Sequence, residues 1–438
     1  MKFYSTKNKS CSVSLKKAVL SGMPSDGGLY MPEFIPVLND TEIHRMEVES
    51  IPEIAMTVLK DYVSEDINIT ELEEIVWEAL NFQFPVKAID ENKAVLELFH
   101  GPTLAFKDVG ARFMSRLMSK LIRNEKQGQN IIVATSGDTG SAVASGFYNV
   151  EGVQVFILFP AGKISTLQQK QMTTLGKNIK PIEVKGTFDD CQKIVKKALN
   201  DEYINEKHQV TTANSINVAR LLPQAVYYFK AYHESKKLNP TKKEIVFCVP
   251  SGNFGNLCAG LLAKKMGLHI AHFLAATNVN DSVPEYLRTG HFKSKSSVQT
   301  ISNAMDVGNP SNFERILDLY DNDLKRIKHD ISGYSFNDKH TLDMMKKTFN
   351  DRGYILDPHG AVGLLALAEY LKKNDENFFG ISLETAHPSK FRETVEAVIK
   401  QELEIPQRLL NRIKLKESSI KANNNYQEIK TILLDQMI

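Results

Sequence analysis

Residues 94–147 read AVLELFHGPTLAFKDVGARFMSRLMSKLIRNEKQGQNIIVATSGDTGSAVASGF. Ala94 to Phe99 is an apolar run of strand length, and His100 to Phe106 is a loop punctuated by glycine and proline. Lys107 to Leu121 then carries apolar residues at helical spacing. Ile131 to Ala134 repeats the strand and Gly140 to Phe147 the helix. Downstream the rhythm continues as strand Val153–Phe159, helix Ile164–Leu175, short strand Ile182–Val184 and helix Asp189–Leu199. It resumes with strand Ile245–Val249, helix Asn256–Met266 and strand His272–Ala276. Apolar strands each followed by a crossover helix predict parallel sheets covered on both faces. The spacing has no eightfold regularity, so the expected class is α/β with two open parallel-sheet domains rather than a barrel.

The flanks differ. Thr41 to Tyr62 and Thr70 to Phe82 have helical spacing, with Thr70 as a candidate N-cap and Pro85 as a stop. Residues 1–92 are therefore expected to form a small, mostly helical N-terminal domain. Residues 93–127 and 222–438 are expected to form a larger α/β domain, with 128–221 inserted as a smaller one. Ser302 to Lys347 reads as charged and helical. Leu342–Phe349 and Ala361–Tyr370 read as helices, and the tail ends in an amphipathic helix, Tyr426–Leu434.

The chain has 438 residues, 42% hydrophobic and 24% charged, enough for two or three domains with a large core. A formal net charge of +2 with dispersed lysines gives no argument for nucleic acid. Cys11, Cys191, Cys248 and Cys258 fit no CxxC or zinc-ligand spacing and read as free thiols in a reducing compartment, with no metal site. The basic start has no apolar run and no arginine, which argues against secretory and mitochondrial targeting. Ile245 to Ala263 carries no charge, but its Pro-Ser-Gly-Asn-Phe-Gly-Asn centre would leave polar backbone in hydrocarbon, so no membrane span is expected. A cytoplasmic protein follows.

Open parallel sheets bind ligands beyond the carboxyl ends of their strands. Four polar loops fall there: HGPTLAFKD (100–108), TSGDTG (135–140), PSGNFGN (250–256) and ETAHP (384–388). None is a dinucleotide fingerprint or a Walker A loop. SGNFGN ends a strand and opens a helix, which suits a phosphate held by backbone N–H groups; a plain Asn-capped turn is the competing reading. Lys107 follows the apolar Leu104-Ala105-Phe106 and starts a helix. Both features lower a lysine pKa and free the amine for a Schiff base, whereas a solvated lysine at a helix start is the ordinary alternative. Asp138 suits a helix N-cap or a contact with a donor. His100 and His387 fit turn-stabilising hydrogen bonds better than proton relay.

HGPTLAFKD, ATSGDTG, VPSGNFGN and TAHPSKF, in that order, closely resemble threonine synthase. SDGGLYMPEFIP (25–36), NSINVARLLPQ (214–224) and ATNVND (276–281) match the same family, its branch with the longer N-terminal domain. The resemblance runs from about residue 1 to about residue 400. It implies the tryptophan synthase β-like fold of type II pyridoxal-phosphate enzymes, with pyridoxal 5′-phosphate between two α/β domains. It implies Lys107 as the Schiff-base lysine. Gly252, Asn253, Phe254, Gly255 and Asn256 become the phosphate loop, Asp138 a neighbour of the cofactor's 3′-oxygen, and Thr385 the hydroxyl facing the pyridine nitrogen. The implied reaction converts O-phospho-L-homoserine and water to L-threonine and phosphate. Lys163, in FPAGKIS, is the first candidate for the substrate phosphate. Ser136, Thr139, Asn214, Ser215, Arg112, Arg220 and Asn303 are further substrate candidates; Arg112 and Arg220 fit structural salt bridges equally well. A monomer or homodimer is expected. Threonine dehydratase, cysteine synthase, a non-catalytic binder of the same ligand and a scaffold are the competing readings.

Overall fold

The computed structural model describes residues 1–239, 241, 244–374 and 377–438. Two parallel sheets organise it. The larger has six strands in the order Ile331–Ser335, His272–Thr277, Glu244–Pro250, Phe378–Glu384, Lys93–Glu97 and Val86–Ala88. All its pairs are parallel except the last. The smaller has five parallel strands in the order Ile420–Asn423, Ile179–Lys185, Val153–Pro160, Gln129–Ala134 and Gln209–Thr211. The expected α/β class with two open parallel sheets is what the chain forms.

Alternation along the central strands explains the layering. Ile131, Val133, Val155 and Ile157 face the core shared by both sheets, while Ile132, Ala134, Phe156 and Leu158 face a separate core on the outer side. Ile245, Phe247 and Val249 likewise oppose Val246 and Cys248, which pack under helix Pro358–Lys373. Successive side chains point to opposite faces, so a strand buried on both sides reads as a continuous apolar run.

The N-terminal region is helical, as expected, and also holds a three-stranded antiparallel sheet. In it Lys2–Ser5 lies between Asn8–Ser14 and Tyr30–Pro32. Asn8–Ser14 is polar and mostly exposed, so no hydrophobic alternation marks it. The long helical segment expected over 41–62 is two helices, Asp40–Arg45 and Ile51–Val63. Ser50 opens the second with a capping box to Glu53, and Pro52 sits in its first turn, where the missing N–H costs nothing. Asn68 rather than Thr70 caps helix Ile69–Ala79. The charged stretch 302–347 contains an edge strand, Ile331–Ser335, as well as helices.

The tail departs most from expectation. Instead of continuing the larger unit, Ile420–Asn423 pairs with Ile179–Lys185 in the smaller sheet. Helix Tyr426–Leu434 packs fully buried Ile429 and Leu433 on the outer core of that sheet. The Asn-rich composition hid a short strand that has only one neighbour. Leu433→Ala should lower the stability of the smaller unit by about 2–5 kcal/mol, the usual cost of a large-to-small core change. Urea unfolding of the cofactor-free protein reads this out; a loss well below about 1 kcal/mol would show the tail to be loosely docked.

Candidate active site

The cavity lies where the carboxyl ends of both sheets meet. Strand Lys93–Glu97 leads into the loop that carries Lys107, and strand Phe378–Glu384 ends beside it. The two exits are stitched together. Phe106 N–H donates to Thr385 O at 2.9 Å, His387 N–H to Leu104 O at 3.0 Å, and Ala105 bridges Ala386. Leu104 takes a left-handed conformation (φ 61°) to make that approach. Lys107 thus starts helix Lys107–Ile122 with no side-chain cap, its amine directed to the cavity that it lines with Thr385. Burial pushes the Lys107 amine down to about 8; Asp138 opposes the shift, while Lys390 and Arg220 add to it. A neutral amine is accessible near neutral pH there, as a Schiff-base lysine requires.

Asp138 comes from the smaller unit. Of the two readings for it, helix N-cap or contact with a donor, the second holds: Gly137 is the N-cap of helix Asp138–Phe147, and the carboxylate meets donors. Its Oδ1 accepts from Lys390 Nζ at 2.6 Å and from Gln168 Nε2 at 2.8 Å. Both partners of the ion pair are buried. Burial pushes the Asp138 carboxyl up, but Lys390, Lys107 and the hydrogen bonds outweigh it and hold the group well below the usual carboxylate range. Lys390 Nζ also donates to Thr103 O at 2.9 Å. Thr103 in turn grips Asp108 through its N–H (2.8 Å) and hydroxyl (2.6 Å).

The 252–256 loop lines the opposite wall. The left-handed residue of the loop is Phe254 (φ 61°) rather than either glycine, and helix Gly255–Lys265 starts immediately after it. Gly252 is needed for closeness: a Cβ there would lie 2.6 Å from Ala304 O and 2.8 Å from Met305 Cα. A Cβ on Gly255 would sit in ordinary contact with Asn312 Nδ2 (3.4 Å) and Ser215 Cβ (3.6 Å), so the glycine packs against these two side chains without requiring them to move. Asn256 Oδ1 accepts from Tyr227 and Tyr228 hydroxyls at 2.6 and 2.7 Å, which orients the amide and leaves its buried Nδ2 without a partner. Asn253 is held by Ser215 Oγ (2.7 Å) and Ser311 N–H (2.6 Å). An orphan amide donor and a helix N-terminus on the cavity wall fit a phosphate monoester.

The remaining candidates divide. Ser136, Thr139, Asn214, Ser215, Arg220 and Asn303 line the cavity. Arg220 is buried, donates to Ala213 O through Nη1, and keeps Nε unpartnered. Burial lowers its pKa to about 10, with Asp108 opposing. Arg112 is elsewhere: it donates to the backbone carbonyls of Ala79 and Glu78 and ties the long helix to the N-terminal region. Lys163 is exposed and does not line the cavity; the smaller unit reaches in with Phe188 and Gln192. His387 caps its own turn, its Nδ1 accepting from Ser389 N–H at 3.2 Å, and His100 binds Glu97 at 2.8 Å.

Two cavity-side residues escaped the sequence reading. Lys390 lay inside the quoted TAHPSKF, but nothing in spacing says that a lysine after a proline turn is fully buried. His359 lines the cavity, with Nδ1 against Asp357 Oδ1 at 2.6 Å and Nε2 accepting from Ala304 N–H at 3.1 Å. Its DPHG context, a proline in the first helical turn, marked a helix start but no site. Behind Thr385, Glu384 is fully buried with no hydrogen-bond partner at either oxygen. Burial first, then Asp357, pushes its pKa well up, which keeps it neutral.

Two parallel sheets whose carboxyl ends meet over a lysine and a glycine-containing loop fit a pyridoxal-phosphate-dependent enzyme. A family model described as "Pyridoxal-phosphate dependent enzyme" matches residues 93–378, with "Threonine synthase N terminus" at 2–80 and "Threonine synthase, C-terminal" at 360–433. The threonine synthase of Buchnera aphidicola subsp. Acyrthosiphon pisum is 42% identical over 440 residues, covering 100% of each chain. The crystal structure of the Escherichia coli threonine synthase superposes with a TM-score of 0.93 at 39% identity, covering 100% of both chains. The X-ray structure of PLP-bound threonine synthase from Brucella melitensis gives 0.92 at 34% identity, covering 99% of this chain and 98% of that one. The chain belongs to the threonine synthase family, a family of pyridoxal-phosphate-dependent lyases.

Lys390→Met leaves Asp138 buried without its cation, which typically costs about 3–5 kcal/mol. The double variant Lys390→Met with Asp138→Asn removes both charges and should recover most of that loss. Urea unfolding of the four cofactor-free proteins completes the cycle; additive losses would mean that the two side chains do not stabilise one another.

Proposed function

We propose that the protein converts O-phospho-L-homoserine and water to L-threonine and phosphate, with Lys107 as the lysine that carries pyridoxal 5′-phosphate. Family membership makes it a threonine synthase, and the cofactor is pyridoxal phosphate. The observation that carries the residue assignment is that Lys107, its amine lowered to about 8, lines one cavity together with the 252–256 loop. The cofactor, when bound, supplies an electron sink for charge developing on the substrate carbons.

The chain's own groups account for the rest. Gly252, Asn253, Phe254, Gly255 and Asn256 hold the cofactor phosphate, and Thr385 presents its hydroxyl to the pyridine nitrogen. Asp138 stays ionised against Lys390 near the 3′-oxygen. With its amine free, Lys107 would take the protons from the substrate's Cα and Cβ. The Cγ–O bond breaks and its electron pair leaves with phosphate; Cγ gains a proton and becomes the methyl group. Water adds its hydroxyl at Cβ, and Cα is reprotonated. Arg220 is the cavity cation with a free donor for the substrate phosphate, helped by Ser136, Thr139, Asn214, Ser215 and Asn303. Lys163 keeps that role only if the smaller unit closes on the substrate. Among the described residues no helix is long and apolar enough to cross a membrane. A cytoplasmic setting, no nucleic-acid partner, a monomer or homodimer, and the domain limits at residues 92, 127 and 221 complete the proposal, with the tail from about residue 420 moved to the smaller domain.

Lys107→Ala should abolish steady-state threonine and phosphate formation while leaving the fold intact; turnover near the wild-type rate would remove Lys107 from the mechanism. The uptake of pyridoxal phosphate by cofactor-free protein should quicken as pH rises and level off above about 8, because only the neutral amine attacks. A rate that is flat between pH 6 and 9 (about two units below that value to about one above) would contradict the lowered pKa.

A further inference from the structure

Beyond the active-site wall lies a second cleft of about 390 Å³. Its sides come from three parts of the chain: Thr103 in the Lys107 loop, Ser145 and Gln171 in the smaller unit, and Arg408 and Arg412 on tail helix Gln407–Ile413. The two arginines stand four residues apart, adjacent on one helical face, where like charges repel. No carboxylate lines the cleft. Arg408 donates to His100 O at 3.0 Å, and Arg412 makes no side-chain hydrogen bond or ion pair among the described residues. Nearby acids are engaged elsewhere. Asp108, whose charge Arg408 senses, is gripped by Thr103, and Glu417 accepts from Gln169 at 2.9 Å and Thr173 at 3.2 Å. On the cleft floor Gln171 is buried; its Nε2 donates to Thr103 O at 3.2 Å, and its Oε1 has no partner.

Two guanidinium groups without a carboxylate partner, one held only by the His100 carbonyl, beside an orphan amide oxygen call for a small molecule with two negative charges and one donor. We propose that this cleft is a regulatory site for a small acidic α-amino acid, its two carboxylates on Arg408 and Arg412 and its ammonium toward Gln171 Oε1. Bidentate guanidinium–carboxylate contacts suit that geometry. Occupancy is transmitted through Thr103 O. That carbonyl accepts from Gln171 on the cleft side and from Lys390 on the active-site side, and Lys390 holds Asp138. A ligand that draws Gln171 toward itself alters the hold on Lys390 and the separation of the two sheets. The coupling rests on the active-site assignment above; the binding does not.

L-Aspartate is the probe, titrated calorimetrically into the wild-type holoenzyme and the Arg412→Gln variant, with threonine formation assayed in parallel. Saturable binding at or below about 1 mM is expected, at least tenfold weaker in the variant. Aspartate should change the wild-type rate and leave the variant's rate unaltered. Absence of saturable binding, equal affinity in the variant, or full displacement of aspartate by saturating O-phospho-L-homoserine would each overturn the site. Binding that Arg412→Gln weakens, with no change in wild-type rate, would overturn the coupling to catalysis.

Discussion

The ion pair between Asp138 and Lys390 is the contact on which the site's geometry depends. It joins a residue at the start of a helix in the smaller unit to one at the end of the larger unit's central exit loop, across 2.6 Å of protein that excludes water. Charges are expensive to bury singly and tolerable as a hydrogen-bonded pair. Asp138 and Lys390 therefore have to find each other as the chain closes. Thr103 O accepts a second hydrogen bond from Lys390 Nζ, so the Lys107 loop is fixed by the same event.

The electrostatics of Lys107 follow from this arrangement. An isolated buried lysine loses its proton easily, and an unpaired Asp138 close by would reverse that. Lys390 neutralises Asp138 and also disfavours a second positive charge nearby. The lysine is left poised between charged and neutral, which a group serving as anchor, base and acid in turn requires. Glu384 shows the complementary device: burial and the neighbouring Asp357 push its carboxyl well up, which favours the neutral form behind Thr385.

Much of this was legible in the sequence because strand, loop and helix have different periods. The two-sided apolar strands and their crossover helices disclosed both sheets, and the four polar loops at strand ends marked the cavity walls. What stayed hidden has physical causes. Asn8–Ser14 forms a strand without an apolar face, and Ile420–Asn423 pairs on one side only, so neither shows alternation. Phe254, not a glycine, carries the left-handed turn, because its ring is buried against Phe313 and packing outweighs intrinsic backbone preference. Lys390 and His359 become site residues only through contacts between distant segments. Arg112 and Lys163, singled out for charge and loop position, point instead to the N-terminal region and to solvent.

Lys107 lines the cavity half-buried and Lys390 lies buried against Asp138, and the central claim is that Lys107 rather than Lys390 bears the cofactor. Borohydride reduction of the holoenzyme, followed by digestion and mass mapping of the pyridoxyl group, tests it directly. One pyridoxyl group on the peptide containing Lys107, with Lys390 unmodified, is the predicted result; a label on Lys390 or Lys163 would contradict the account.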